Sequence, residues 1–276
     1  MPSIPWDTIG YWTEIKLDII RKYAVAYATI MAQQRNIRRF GYIDAFCGPG
    51  VHVSKQTGEF VHGSPLNALL IQPQFSAYHF IDIDGDKASA LRKLAGAHER
   101  VQVHEGDCNE ILRERIFPLF RYEDYARALC ILDPYNLCVD WELLRMAGQM
   151  RSVELFYNFM IMDANMNVLW HDPQGVDERQ LRRMNRIWGD DSWRDAAYRK
   201  EKTLFEEELV KEGNPAFAEA FRRRLNEVAG FQFVPSPLPM RNSKGAVVYY
   251  LYFASQNEVG KKIVSEIFSS YSGRSG

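Results

Sequence analysis

Between residues 12 and 32, Ile15, Ile19, Tyr23, Ala26 and Ile30 recur at helical spacing, with Lys16, Arg21 and Lys22 elsewhere around the turn. That pattern predicts an amphipathic helix. The period then shortens. Residues 41–46 are a short apolar run that stops at Gly48-Pro49-Gly50, the signature of a buried strand followed by a glycine turn. Ser64-Pro65 reads as an N-cap and first-turn proline opening a helix over 66–71. The alternation continues with a strand at 77–83, a helix capped by Asp86 to about 95, a strand at 101–104 and a helix over 109–120. A strand at 127–132, a helix at 141–150 and a strand at 153–159 follow. Strands separated by helical stretches, each strand apolar almost throughout, predict a parallel sheet covered on both faces.

Residues 164–228 break this rhythm. They are rich in Arg, Glu and Trp, keep helical spacing and show no convincing strand. Strands return at 231–234 and 246–254, and a helix over 258–269 closes the pattern. The simplest organisation is a single α/β domain over 1–276: an N-terminal helix within 1–35, a ligand-binding core over 40–160, a helical insertion over 164–228, and a final unit over 231–270.

Composition narrows the class without changing the fold. The chain has 276 residues, 34 Lys+Arg against 35 Asp+Glu and a net charge of -1, which excludes a uniformly basic surface. Aromatic residues at 13% argue against disorder. The start lacks the basic-then-apolar pattern of a secretory signal and no apolar run spans a membrane, so a cytoplasmic location is expected. Cys47, Cys108, Cys130 and Cys138 form no CxxC pair and have no His at zinc-finger spacing. They read as reduced, space-filling thiols, and no metal site is expected.

Four motifs fall at the ends of four successive predicted strands. Asp44-Ala-Phe46-Cys-Gly48-Pro-Gly50 places an acid before two glycines whose backbone a ligand can approach closely. A dinucleotide fingerprint would run G-x-G-x-x-G directly into a helix; that is absent, which disfavours a nicotinamide oxidoreductase. In Phe80-Ile-Asp82-Ile83-Asp84, Asp82 can accept from both ribose hydroxyls, because a carboxylate offers two oxygens and no donor. Asp107, beside Cys108, can accept from the exocyclic amine of an adenine. Asp133-Pro134-Tyr135 puts a carboxylate, a stiff turn and a ring at the same edge, able to orient an amine while the ring stacks on a flat base. Each could instead be an ordinary glycine or Asp turn; their order along one sheet edge gives them weight.

That order resembles the class I S-adenosylmethionine-dependent methyltransferases. With YIDAFCGPG, GSPLNAL, FIDID, GDCNE, LDPYNL and LPMRNSKGAVVYYLYFAS, the chain resembles the three-Cys-motif partner family, whose members are encoded beside a three-Cys-motif protein. The resemblance runs from about Lys16 to Phe268 and is weakest over 164–228. It implies a Rossmann-like fold with a mostly parallel seven-stranded sheet and bound S-adenosylmethionine. Asp44, Phe46, Gly48 and Gly50 would frame the methionine end, Asp82 with Ile83 the ribose end, and Asp107 with Cys108 the adenine. Asp133, Pro134 and Tyr135 resemble the Asp-Pro-Pro-Tyr motif of enzymes that methylate exocyclic amines of nucleic-acid bases, with one proline in place of two. The resemblance also implies a three-Cys-motif protein as partner, and a non-catalytic cofactor-binding subunit of such a complex is the competing reading.

In the insertion, Arg179, Arg182, Arg183 and Arg186 share one helical face behind Asp177 and Glu178. With Arg222-Arg223-Arg224 they would suit phosphates of a nucleic-acid substrate. Alternatively they form a solvated face paired with acids such as Glu206, Glu207 and Glu208. Trp170, Trp188 and Trp193 could stack on a base but more often pin such helices to a sheet. His52 and His62 flank the loop after Gly50, and either could face the ligand.

Overall fold

The computed structural model describes residues 7–202 and 207–272. The chain begins with β1 (Asp7–Ile9) and α1 (Tyr11–Gln33), followed by β2 (Arg39–Asp44). A hairpin of β3 (Val51–Ser54) and β4 (Phe60–His62) precedes α2 (Ser64–Leu69). The expected alternation follows in β5 (Ala77–Asp82), α3 (Gly85–Ala95), β6 (Val101–Glu105) and α4 (Cys108–Ile111). It continues with β7 (Ala126–Leu132), α5 (Trp141–Met150) and β8 (Val153–Phe159). Next come α6 (Ile161–Asn167), α7 (Glu178–Trp188), α8 (Trp193–Ala197), β9 (Tyr198–Lys202), β10 (Glu207–Lys211) and α9 (Asn214–Glu227). The last elements are β11 (Leu238–Arg241), β12 (Val247–Ala254) and α10 (Glu258–Tyr271).

Seven strands form one sheet in the order β11-β12-β8-β7-β2-β5-β6. β6, β5, β2, β7 and β8 are parallel, while β12 runs antiparallel to both β8 and β11. The chain steps outward from β2 to β5 and β6, then returns to β7 on the other side of β2. That reversal is the switch point at which open α/β sheets bind ligands, outside the carboxyl ends of the strands. This is a Rossmann-like α/β fold, a mostly parallel seven-stranded sheet with helices on both faces.

Side chains one residue apart point to opposite faces of a strand, and both faces of this sheet are buried. Leu129 and Ile131 of β7 join Tyr42, Phe80 and Phe253 beneath α1, α2, α3 and α10. Ala128, Cys130 and Leu132 join Ile43, Tyr157 and Tyr252 beneath α4, α5 and α9. Continuous apolar runs were therefore the right strand signal. Phe221 of α9 is fully buried and lies 4.7–6.1 Å, centroid to centroid, from the rings of Trp141, Tyr157, Phe159, Trp188 and Tyr252. The segment around α9 is thereby fastened onto the sheet. Among the described residues no helix is long and apolar enough to cross a membrane.

Several local expectations are corrected. Ser64 is the first residue of α2 and does not cap it, because Gly63 holds the N-cap position; the Ser64 hydroxyl donates to Asp44. Asp84, and not Asp86, caps α3, accepting from the backbone N–H groups of Asp86 and Lys87. The helix expected over 109–120 breaks into α4, a wide turn and a 3₁₀ turn, as the ring of Pro118 requires. The 164–228 segment carries the antiparallel pair β9–β10. The sixth strand is Leu238–Arg241, whereas Phe233 of the expected 231–234 strand makes one isolated bridge to Ser255. Lys16 is buried and not on the solvent face of α1.

Candidate functional site

The carboxyl ends of β2, β5, β6 and β7 carry the four motifs side by side. Asp44, the last residue of β2, is wholly buried, accepting from the Phe46 N–H at 3.3 Å and from the Ser64 hydroxyl. Burial pushes its carboxyl up to about 7, and the nearby Asp133 adds to the effect. Asp44 therefore braces the loop from beneath. Asp82, the last residue of β5, accepts from the Gly48 N–H at 2.8 Å and the Asp84 N–H at 2.9 Å. It ties the end of the second motif to the glycine turn of the first.

Gly48 and Gly50 both adopt left-handed backbone, at φ +62° and +86°. A Cβ at Gly50 would meet Leu91 Cδ1 at 2.9 Å, so that position is filled by the core. At Gly48 the nearest atom to such a Cβ is His52 Cε1 at 3.8 Å, so the space beside Gly48 is open to a ligand. Ile83 is 78% exposed, an apolar side chain standing just past the end of β5. Asp107 caps α4 through the Asn109 N–H at 2.7 Å, and Cys108 is buried as the first residue of that helix.

Asp133 holds the centre. One carboxylate oxygen accepts from Asn158 of β8; the other is paired with the ammonium of Lys16 from α1. Lys16 also lies 5.7 Å from the centroid of the Tyr249 ring. Tyr135 is 70% exposed, its ring 5.6 Å from the Lys87 ammonium and its hydroxyl 3.5 Å from Asp7. A crevice of about 400 Å³ opens here between Phe46, Gly48, Asp133, Pro134, Tyr135, His52, Lys55 and Tyr249, roofed by β1 and the start of α1. Two of its buried polar atoms, His52 Nδ1 and Tyr249 Oη, have no hydrogen-bond partner among the described residues. Burial holds the His52 imidazole below its usual range, so it is neutral at pH 7.

Of the sequence-derived candidates, Phe46, Gly48, Asp133, Pro134, Tyr135 and His52 line this crevice. Asp44 and Gly50 lie under it, while Asp82, Ile83, Asp107 and Cys108 follow the same sheet edge outward. His62 faces a separate shallow hollow beside Asn67. Burial pushes the thiols of Cys47, Cys108 and Cys130 up, and that of Cys138 to about 11, so none is a ready nucleophile.

The arginines of α7 are largely engaged. Arg183 pairs with Asp163 and donates to the Leu137 carbonyl at 2.8 Å, while Asp163 accepts from the Leu137 N–H. Together they brace the loop that follows Tyr135. Arg186 pairs with Asp140 at 2.8 Å and Arg182 with Glu178 at 2.9 Å. The side chain of Arg179 has no partner among the described residues. Arg222 pairs with Glu219, and Arg224 with Asp190. Glu206 and the side chain of Glu207 lie outside the described residues. Trp188 and Trp193 are core, and Trp170 is 42% exposed.

Sequence reasoning missed Lys16, Asn109, Asn158 and Tyr249. Asn109 donates to the Cys138 carbonyl at 2.9 Å and accepts from the Asp140 N–H at 2.8 Å, joining the third and fourth motif loops. Asn158 was detectable as a lone amide in the apolar run Leu-Phe-Tyr-Asn-Phe. Lys16 was detectable as a lysine flanked by Ile15 and Leu17 and four residues before Ile20.

No family model matches the chain, and no curated protein matches it. Thirty-one chains of known structure do. Among them is protein LPL1258 of Legionella pneumophila, at 12% identity over 94% of each chain and a TM-score of 0.49. A Listeria monocytogenes protein, provisionally described as an S-adenosylmethionine dependent methyltransferase, matches at 11% identity over 88% of this chain and 100% of its own, TM-score 0.42. The Escherichia coli protein yhhF, provisionally described as a methyltransferase, matches at 9% identity over 85% and 86%, TM-score 0.34. The fold assignment rests on the strand order.

Proposed function

We propose that this chain is an S-adenosylmethionine-dependent methyltransferase whose cofactor lies along the ends of β2, β5 and β6 and whose acceptor enters the crevice at Asp133. The observation that carries this reading is the lining up of Gly48, Asp82, Ile83, Asp107 and Asp133 along one edge of the switch point. The residues present suit such a group. Gly48 leaves room for it, Ile83 offers an apolar face to a base, and Asp107 is an acceptor for an exocyclic amine. Each oxygen of Asp82 keeps a free lone pair for a ribose hydroxyl. His52 Nδ1 and Tyr249 Oη have no hydrogen-bond partner among the described residues, where polar ligand atoms would sit.

When bound, the cofactor supplies an activated sulfonium methyl, so the work left to the protein is alignment. Asp133 orients an amine of the acceptor and takes up its proton, and the exposed Tyr135 ring stacks on a flat base. An amine of a nucleic-acid base is the acceptor we favour. One observation supports the second reading, a weakly catalytic partner subunit of a three-Cys-motif protein: Lys16 and Asn158 already engage both oxygens of Asp133.

Incubation with methyl-labelled cofactor and fractionated cell extract tests the assignment. Label entering a nucleic-acid fraction, and lost with Asp133→Asn, is the expected result. Cofactor binding with no label transferred to any fraction would overturn the catalytic reading in favour of the subunit.

A further inference from the structure

A second cavity, of about 510 Å³, opens at the opposite, amino edge of the sheet, between the end of α1 and the starts of β7 and β8. Its volume lies within the about 300–1,000 Å³ of ordinary ligand sites. Tyr27 and Ser152 form part of its wall, only 3% and 2% exposed, and neither hydroxyl has a partner among the described residues. A buried hydroxyl left unpaired is costly, so the cavity is built for something that accepts hydrogen bonds.

Cations and rings complete the wall. The Arg127 guanidinium lies 3.9 Å from the centroid of the Tyr122 ring and that of Arg151 lies 5.9 Å from it. Neither arginine pairs with an acid among the described residues. Tyr122 and Tyr125 are half exposed. Of the acids present, Glu154 is already held by Tyr23 and Ser255, and Glu258 pairs with Lys262 at 3.1 Å. One nitrogen of Arg127 donates to the Ala126 carbonyl at 2.8 Å, which leaves its other nitrogens and the Arg151 guanidinium as charged donors beside the neutral amides of Gln34, Asn36 and Gln232.

The backbone points the same way. Tyr125 and Arg151, at φ +54° and +60°, are the only non-glycine residues among those described that adopt left-handed backbone, and both line this cavity. Glycine or asparagine would occupy either turn with less strain. The chain instead keeps a ring and a guanidinium there, the kind of local strain that accompanies binding sites.

We propose that this cavity binds a small anion that carries a flat ring together with a phosphate or carboxylate. The charged group lies on Arg127 and Arg151 with the Tyr27 and Ser152 hydroxyls, and the ring lies against Tyr122 or Tyr125. The site is independent of the methyltransferase reading. Asp133 follows the far end of β7, six residues beyond Arg127 and roughly 20 Å away along the strand.

Calorimetry on the full chain tests this with phenyl phosphate, adenosine monophosphate, benzoate and inorganic phosphate. Adenosine monophosphate and at least one of phenyl phosphate and benzoate should bind about tenfold or more tightly than inorganic phosphate, since each brings both ring and charge. The stronger of phenyl phosphate and benzoate names the anionic group. Arg151→Asn should raise the melting temperature of the free protein, by relieving the strained turn, yet weaken binding about tenfold or more. Tyr27→Phe should keep the melting temperature while weakening binding several-fold. Asp107→Ala, at the other edge, should leave phenyl phosphate binding unchanged. No binding of any ringed anion at millimolar concentration, or wild-type affinity in Arg151→Asn, overturns the proposal.

Discussion

Replacing Lys16 by Met tests whether the crevice is built around a charge pair. The ammonium side chain is 7% exposed and the Asp133 carboxylate 29% exposed, so the variant leaves a half-buried charge held by Asn158 alone. Breaking a fully buried pair from one side costs about 3–5 kcal/mol. An exposed pair is worth about 0–1 kcal/mol. Asp133 keeps one hydrogen bond and some contact with water, which puts Lys16→Met between these limits, at about 2 kcal/mol. Asp133→Asn strands the lysine instead, at a similar cost. The double variant strands neither charge, so its loss should fall short of the sum of the two by about 1–2 kcal/mol. Urea denaturation of the four proteins, followed by tryptophan fluorescence and fitted with a common slope, measures this directly. Additivity to within about 0.3 kcal/mol would refute the reasoning, because Lys16 and Asp133 would then not act as a unit.

Other consequences can be checked on the same chain. Asp44 is raised from 3.8 to about 7, so the folded state holds its proton more tightly than the unfolded one. The stability this brings is complete below about pH 4 and is lost as pH rises through about 7. Glu154, raised from 4.5 to about 7, acts in the same sense. Asp44→Asn should therefore compare less favourably with the parent at pH 5 than at pH 8, and a pH-independent difference contradicts the burial argument. Phe221→Ala should cost about 3–5 kcal/mol, read by thermal melting; a loss below about 1 kcal/mol would mean that α9 is not pinned to the sheet through this ring. Arg183→Ala should cost about 2 kcal/mol because it strands Asp163 beside the loop after Tyr135, whereas Arg182→Ala, on an exposed pair, should change stability by about 0.5 kcal/mol or less.

The main sheet was legible because its central strands are buried on both faces. In β7 and β8 successive side chains feed opposite cores, so the run is apolar without alternation and short enough to exclude a helix. β11 was misplaced for a physical reason. It contains Pro239, which demotes a strand when read locally but is tolerated here because β11 is the sheet edge. β9 exposes all but its first residue, so it carried no hydrophobic pattern to read. The β3–β4 hairpin is similarly short and only partly buried.

The site was legible to the extent that it is local in sequence. Gly48, Asp82, Asp107 and Asp133 each sit at a strand end, and strand ends could be located. Lys16 and Asn158 reach Asp133 from 117 and 25 residues away; such contacts follow from the packing of α1 and β8 and from nothing near Asp133 in the chain. The α7 arginines show the converse. Their helical spacing was read correctly, but Asp163 and Asp140, which engage two of them, lie on other elements.

The most direct test of the central claim is titration calorimetry of the full chain with S-adenosylmethionine, alongside Gly48→Val and Asp107→Ala. A saturable one-to-one heat for the parent, abolished by Gly48→Val and weakened by Asp107→Ala, is the expected result. No heat for the parent, or equal binding by all three proteins, would contradict a cofactor site at this edge of the sheet.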